Sequence, residues 1–208
     1  QEGPHVMLLH QLDVGAGDGN VTAELAPLVR EVVATETSSG MAKRLRKRGW
    51  VTHEVDLVER GLPDDAGRFD AIALLNVLDR TSRPLTLLER LRALAMPDAR
   101  LLCAVPFPLR PHVHVGASTV DPDELLPRVP PGEHVWERQA RAFARDDLRV
   151  GRLAFVWERQ ARAFAELLFV PLGWRVLRLA RAPYLCRGPA KQPVLTLDDA
   201  LFVCAPIE

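Results

Sequence analysis

The chain has 208 residues with 27 basic and 27 acidic side chains, so its formal net charge is zero. A balanced charge gives no bulk field for nucleic acid or an anionic membrane, and no segment reaches the ~18 consecutive apolar residues of a membrane helix. The three cysteines form no C-x-x-C pair, so neither a disulfide framework nor a metal site is predicted. The length predicts one domain across residues 1–208.

Apolar runs and amphipathic segments alternate along the chain, which predicts an α/β fold with a parallel sheet covered on both faces. The predicted strands are residues 6–14, 31–35, 51–55, 69–75, 101–105, 175–182 and 201–204. The predicted helices are residues 21–28, 39–48, 84–95 and 157–170. A Pro-rich loop of residues 106–134 precedes the last helix, and loops of that length are usually functional or disordered.

The segment between the first strand and the first helix is rich in glycine. Glycine stands at every second position from Gly15 to Gly19, and Asp13 and Asp18 lie in the same loop. Glycine lets the backbone approach a ligand closely, and Glu36 at the end of the next strand can accept both hydroxyls of a ribose.

The spacing of this loop separates two kinds of nucleotide site. Dinucleotide folds use G-x-G-x-x-G against a pyrophosphate, whereas D-x-G-x-G-x-G carries negative charge that suits the amino and sulfonium groups of S-adenosylmethionine. The loop is similar to motif I of the seven-stranded methyltransferases. A glycine-rich turn without a ligand, or a nicotinamide cofactor, is the alternative.

Two longer segments carry a more specific resemblance. Residues 75–80 read Leu-Asn-Val-Leu-Asp-Arg, and residues 182–186 read Ala-Pro-Tyr-Leu-Cys. With residues 197–203 and the glycine loop, they resemble the DREV family, also called methyltransferase-like protein nine, over residues 12–206. The resemblance implies a seven-stranded, Rossmann-like class I fold that methylates protein histidine at the pros nitrogen, Nδ1, in His-x-His motifs.

The resemblance also implies which residues form the site. S-adenosylmethionine, with S-adenosylhomocysteine as its product, would be held by Asp13, Gly15, Gly17 and Glu36. Asp56, at the end of the third strand, is a candidate partner for the adenine amino group.

Asn76 and Asp79 would hold the substrate imidazole, and Tyr184 would line the same pocket. A carboxylate such as Asp79 can accept the Nε2–H of imidazole, fix the tautomer with a lone pair on Nδ1, and stabilise the imidazolium, as aspartate does in a Ser-His-Asp triad. Capping and turn formation after the fourth strand is the alternative role of Asn76 and Asp79.

The chain contains one internal repeat. Residues 135–144 recur unchanged as residues 156–165, and two copies are too few for a solenoid. Residues 135–155 are therefore predicted to be an inserted unit of 21 residues that loops out over the surface.

The long loop contains a His-x-His motif of its own, His112-Val113-His114. A solvated loop on the substrate side is expected there, with a metal pair or a self-methylation site as the alternatives. For the whole chain, the alternative functions are a methyltransferase acting on a small molecule and a paralogue that binds the cofactor without catalysis. Because the chain begins almost directly on its first strand, we expect further sequence upstream. The sequence does not determine the location, and an intracellular one is the expectation.

Overall fold

The computed structural model describes residues 9–107, 109–116, 118–127, 150–187 and 194–207. The strands of this part are His10–Val14 (β1), Glu31–Glu36 (β2), Val51–Glu54 (β3), Phe69–Leu75 (β4), Ala95–Pro106 (β5), Val113–Val115 (β6), Ser118–Val120 (β7), Trp174–Arg187 (β8) and Val194–Pro206 (β9). The α-helices are Asn20–Leu25 (α1), Ser39–Lys47 (α2), Pro84–Leu94 (α3) and Val150–Leu168 (α4). No helix among these residues is long and apolar enough to cross a bilayer.

Seven strands form one sheet in the order β3-β2-β1-β4-β5-β9-β8. The strands β1 to β5 pair in parallel, whereas β9 runs antiparallel to both of its neighbours. The expectation of a wholly parallel sheet is therefore wrong for this one strand. The reason is chain length: only six residues separate β8 from β9, and a parallel connection needs a dozen or more.

The core lies between the sheet and the helices, and α4 supplies a large share of it. Trp157 and Phe164 are buried on one side of this helix, and the Phe164 ring lies 5.5 Å from Phe107 and 6.1 Å from Phe202. Burying such a ring contributes roughly 1.5–3 kcal/mol. Because both residues belong to the second copy of the repeat, that copy is part of the core. Cys103 and Cys204 are also fully buried, as a core role requires.

Several element bounds differ from the prediction. Strand β8 ends at Arg187 rather than residue 182, and β9 begins at Val194 rather than residue 201. Helix α4 begins at Val150, so residues 150–155 of the predicted insertion are helical. Residues 128–149 lie outside the described residues, so the looping out of the rest stays a prediction. Strand β5 begins at Ala95 rather than residue 101, and it contains Pro97 next to an irregularity in its pairing with β4. Because proline cannot donate a backbone hydrogen bond to a neighbouring strand, the sequence did not predict a strand that begins before Pro97.

Candidate active site

The glycine loop lies where β1 ends, at the carboxyl edge of the parallel strands. Gly15, Gly17 and Gly19 all have positive φ angles, of 65°, 60° and 77°. A Cβ atom on Gly15 would lie 2.7 Å from Cγ2 of Val77, which follows β4. Glycine at this position therefore lets the segment after β4 close onto the loop after β1. The ends of β1 and β4 thus meet in one site.

Gly17 faces open space. A Cβ atom there would meet no atom of the described residues within 4 Å, unlike the Cβ positions of Gly15 and Gly19. The Gly17 N–H donates to Oε2 of Glu36 at 2.9 Å, and the Ser38 N–H donates to Oε1 of the same carboxylate at 2.9 Å. The carboxylate of Glu36 thus joins the loop to the start of α2. An open glycine surface beside a carboxylate fits the backbone approach and the ribose contacts expected for S-adenosylmethionine.

Asp13 lies beneath this loop rather than on its surface. Its side chain is buried, and Oδ2 accepts a hydrogen bond from Oγ1 of Thr22 in α1 at 2.6 Å. Burial raises the pKa of Asp13 to about 6, although the bond from Thr22 opposes the shift. This arrangement supports the loop from below, and a direct contact between Asp13 and a cofactor stays a prediction.

Asp56 lies two residues beyond the end of β3, next to β2 at the same edge. Its side chain is exposed, and Oδ1 accepts the Val58 N–H at 2.8 Å in a tight turn. The carboxylate is therefore held by its own turn close to the strand that carries Glu36. Its role toward adenine stays a prediction.

Asn76 follows β4 directly and has a φ of 57°, the only positive φ outside glycine among the described residues. Its backbone N–H donates to the carbonyl of Ala104 in β5 at 3.0 Å, which holds the turn against the sheet. Asparagine tolerates this left-handed region better than most residues. A strained, fixed turn at the edge of a sheet is typical of a functional position.

Asp79 lies three residues further on and is almost completely buried, with 3% of its surface exposed. Its Oδ2 lies 3.8 Å from Nε of Arg80, whereas its Oδ1 is buried and has no hydrogen-bond partner among the residues that the structure describes. Burial raises the pKa of Asp79, and the charges of Arg80 and His112 oppose the shift. A buried carboxylate oxygen without a donor is costly, so this oxygen is suited to a donor on a ligand.

The structure adds one residue that the sequence analysis did not assign to the site. Asp199 of β9 accepts a hydrogen bond on Oδ2 from Nδ2 of Asn76 at 2.9 Å. The only sequence signal was a pair of acidic residues, Asp198 and Asp199, inside an otherwise apolar strand.

The family model of the DREV methyltransferases matches residues 3–149 of the 208. The chain belongs to the DREV methyltransferase family. The protein-L-isoaspartate O-methyltransferase of Nitrobacter winogradskyi is 35% identical over 99 residues, which are 45% of this chain and 43% of that protein. The DREV chain thus spans less than half the length of this curated relative.

Solved structures agree on the fold of this DREV protein. The magnesium protoporphyrin IX methyltransferase of Synechocystis PCC 6803 with bound S-adenosylmethionine is 14% identical, with a TM-score of 0.52 over 97% of this chain and 72% of that chain. The N-methyltransferase NodS of Bradyrhizobium japonicum WM9 with S-adenosylhomocysteine is 14% identical, with a TM-score of 0.51 over 96% and 78%. The predicted class I methyltransferase fold is confirmed.

The loop after β5 is anchored to the segment between β4 and α3, which carries Asp79. The His112 N–H donates to the carbonyl of Asp79 at 2.8 Å, and the Glu124 N–H donates to the carbonyl of Ser82 at 3.1 Å. The Glu124 carboxylate also accepts the N–H groups of Leu85 and Thr86 at the start of α3, at 2.7 and 2.9 Å. These two anchors hold the loop beside the segment that carries Asp79. Its location on the substrate side stays a prediction.

The His-x-His motif of this loop lies beside Asp79. His112 is half-buried and His114 is exposed, and their rings are 5.0 Å apart in a T-shaped arrangement. His112 Nδ1 lies 2.9 Å from the carbonyl of Arg110, which can only accept, so Nδ1 carries the proton. Within the described ranges, no group of three or more potential metal ligands is found around them.

Tyr184 lies in the part of β8 that extends past the sheet. Its backbone pairs with Leu197 of β9, two residues beyond the level at which β9 leaves β5. The side chain of Tyr184 lies outside the described part of the structure. Its contact with the substrate stays a prediction.

Proposed function

We propose that this protein transfers a methyl group from S-adenosylmethionine to the pros nitrogen, Nδ1, of histidine in His-x-His motifs of protein substrates. The observation that carries the proposal is the buried Oδ1 of Asp79, which has no hydrogen-bond partner within the described part of the chain. It belongs to the segment after β4 that packs onto the glycine loop through Val77 and Gly15. Family membership and this geometry support methyl transfer, and the buried acceptor oxygen favours an acceptor that carries an N–H group.

S-adenosylmethionine supplies, when bound, an electrophilic methyl group on a positively charged sulfur. Gly17 and Glu36 are the residues that would hold it, because Gly17 offers open backbone and Glu36 a half-buried carboxylate beside it. Asp13 would act indirectly, because its hydrogen bond from Thr22 fixes the position of α1 relative to the glycine loop.

The acceptor needs positioning more than activation. Neutral imidazole is already a nucleophile near pH 7, because its pKa is about 6.5. Asp79, when ionised, accepts the Nε2–H and so leaves the lone pair on Nδ1. It also stabilises the imidazolium that methylation creates, as the aspartate of a Ser-His-Asp triad does. Holding the nitrogen in line with the methyl group supplies most of the rate.

The pKa shift of Asp79 adds a pH dependence. Burial raises this pKa, so the carboxylate takes up a proton at a higher pH than an exposed aspartate does. The substrate imidazole also becomes protonated below about pH 6.5. Methyl transfer should therefore fall as the pH decreases, because both the acceptor oxygen and the nucleophile are lost.

The direct test is mass spectrometry of a His-x-His peptide with small flanking residues, incubated with the protein and methyl-labelled cofactor. We expect one added methyl group, and pros-methylhistidine after complete hydrolysis. Peptides with bulky residues beside the acceptor should react poorly. Methyl groups on lysine, on arginine or on a small metabolite would contradict the histidine assignment.

Asp79→Asn tests the residue that carries the proposal. The amide removes the negative charge but keeps the size of the side chain, so cofactor affinity and folding should be retained. Methyl transfer should fall by about a hundredfold or more, as for other preorganised groups. The matched control is Asp98→Asn, the same change at the exposed start of β5. Equal loss in both variants would refute the role of Asp79.

A further inference from the structure

Asp199 is a second buried carboxylate beside Asn76. It lies on β9, 123 residues after Asn76, and 5% of its surface is exposed. Its Oδ2 accepts the Nδ2–H of Asn76 at 2.9 Å, and its Oδ1 is buried without a hydrogen-bond partner among the described residues. Buried oxygens of this kind need a donor or a positive charge. A ligand that carries an N–H group or a positive charge would satisfy this oxygen.

The carboxylate of Asp199 decides the orientation of Asn76. An ionised carboxylate only accepts hydrogen bonds, so it can bind only the NH₂ end of the amide. The backbone of Asn76 is fixed as well, at a φ of 57° and by its N–H bond to Ala104. Together these constraints hold the side chain of Asn76 in one orientation at the end of β4.

Asp79 and Asp199 lie close enough for their charges to interact. Burial raises the pKa of Asp199, and the charges of Asp79 and Asp198 raise it further, while the bond from Asn76 and the charge of Arg80 oppose the shift. Arg80 is half-exposed at 3.8 Å from Asp79, and the neighbouring Asp198 is paired with Arg181 at 2.7 Å. A positive charge that forms near both carboxylates would reduce the repulsion between them and offset the free-energy cost of burying their charges.

We propose that Asp199 is a positioning residue of the acceptor site, which orients Asn76 and, with Asp79, favours an acceptor nitrogen that becomes cationic on methylation. The inference rests on the proposed function only in taking imidazole as that acceptor. The lone pair of the nitrogen forms the new N–C bond, the electron pair of the broken S–C bond stays on sulfur, and the positive charge moves to the ring. The Nε2 proton of the imidazolium then leaves to solvent. Hydroxyl and carboxylate acceptors, whose methylated products are neutral, gain nothing from this pair.

Two substitutions separate charge from orientation. Asp199→Asn keeps an oxygen that can accept from Asn76 but removes the charge, whereas Asp199→Ala removes both. For Asp199→Asn we expect kcat to be about tenfold lower than in the wild type and KM to stay within about threefold of it. The reason is that the bound substrate is neutral imidazole, whereas the cation forms only as the methyl group is transferred. Asp199→Ala should also raise KM, since Asn76 is no longer held.

The control is Asp198→Asn, the same change on the next residue of β9. Side chains of successive strand residues point to opposite faces, and Asp198 is paired with Arg181 instead of Asn76. Its kcat should stay within about twofold of the wild type. Melting temperatures give a further distinction, because removal of a buried charge in Asp199→Asn should leave stability unchanged or increase it. A fall in melting temperature with an unchanged kcat in Asp199→Asn would make Asp199 structural and overturn the proposal.

A binding probe distinguishes this inference from the histidine assignment. The permanently cationic 1,3-dimethylimidazolium is titrated by NMR into the wild type and Asp199→Asn, both with S-adenosylhomocysteine. We expect the affinity to be about tenfold lower in Asp199→Asn. Equal affinity, or no saturable binding to the wild type, overturns the role of Asp199. If this difference is found but no histidine peptide is methylated, the proposed function fails and the cation-selective site stands.

Discussion

Replacing Gly17 with alanine tests whether the open side of the glycine loop is the cofactor surface. Gly17 has a φ of 60°, and an added Cβ would meet no atom within 4 Å in the part of the chain that the structure describes. The substitution therefore has only two effects: backbone strain, and a methyl group projecting to where a ligand would approach. A left-handed conformation costs an L-residue about 1–2 kcal/mol.

The chain offers a matched control for the strain alone. Gly49, after α2, has a φ of 91°, and its added Cβ would also meet none of the described residues within 4 Å. Gly17→Ala and Gly49→Ala should therefore lower the free energy of unfolding by similar amounts, about 1–2 kcal/mol each. Denaturant unfolding without cofactor measures this, and comparable losses would show that the two backbones are equally strained.

Cofactor affinity should separate the two variants. Calorimetric titration with S-adenosylhomocysteine should show at least a tenfold weaker affinity for Gly17→Ala, about 1.4 kcal/mol, and an unchanged affinity for Gly49→Ala. A fully retained affinity in folded Gly17→Ala would show that no ligand approaches this glycine. An equal loss in both variants would show that strain, rather than the blocked surface, weakens binding.

Three further predictions concern charge and the repeat. Glu36→Lys should lower cofactor affinity at least tenfold, because hydrogen bonds to a charged group contribute roughly 1.5–3 kcal/mol. Glu31→Lys, at the exposed start of the same strand, should leave the affinity unchanged. Equal calorimetric titration curves for the two variants would exclude Glu36 from the site. Burial raises the pKa of Asp13 from 3.8 to about 6, so its proton favours the folded state. The stability that this proton confers is complete below pH 3.8 and is lost as the pH rises through about 6. Relative to Asp13→Asn, the wild type should lose about 3 kcal/mol over that window, and parallel stability curves would contradict the shift. Deleting residues 135–155 removes the first copy of the repeat together with the first six residues of α4. The melting temperature and cofactor affinity should stay unchanged or increase, since doubling a loop costs only about 0.6 kcal/mol; an unfolded product would show that the deleted residues belong to the core.

The local parts of the site were predictable because they depend on short-range patterns. A strand, a glycine loop and a helix follow one another within residues 10–25, and Glu36 ends the next strand as predicted. Strand β4 has the predicted bounds, Phe69–Leu75, because only Asp70 interrupts its apolar residues. In a parallel sheet, strand ends fall at one edge whatever the details of packing, so Glu36 and Asn76 were placed at that edge from the sequence alone.

The sequence by itself therefore determined the fold class, the glycine loop and the segment that carries Asn76 and Asp79. Tertiary structure alone decided that β9 reverses direction and brings Asp199 to Asn76, 123 residues away. It also decided that Asp13 lies beneath the loop and Gly17 faces open space, although both occur in one short motif. The physical reason is that glycine spacing and apolar runs are encoded locally, whereas burial and hydrogen-bond partners depend on which distant strands pair.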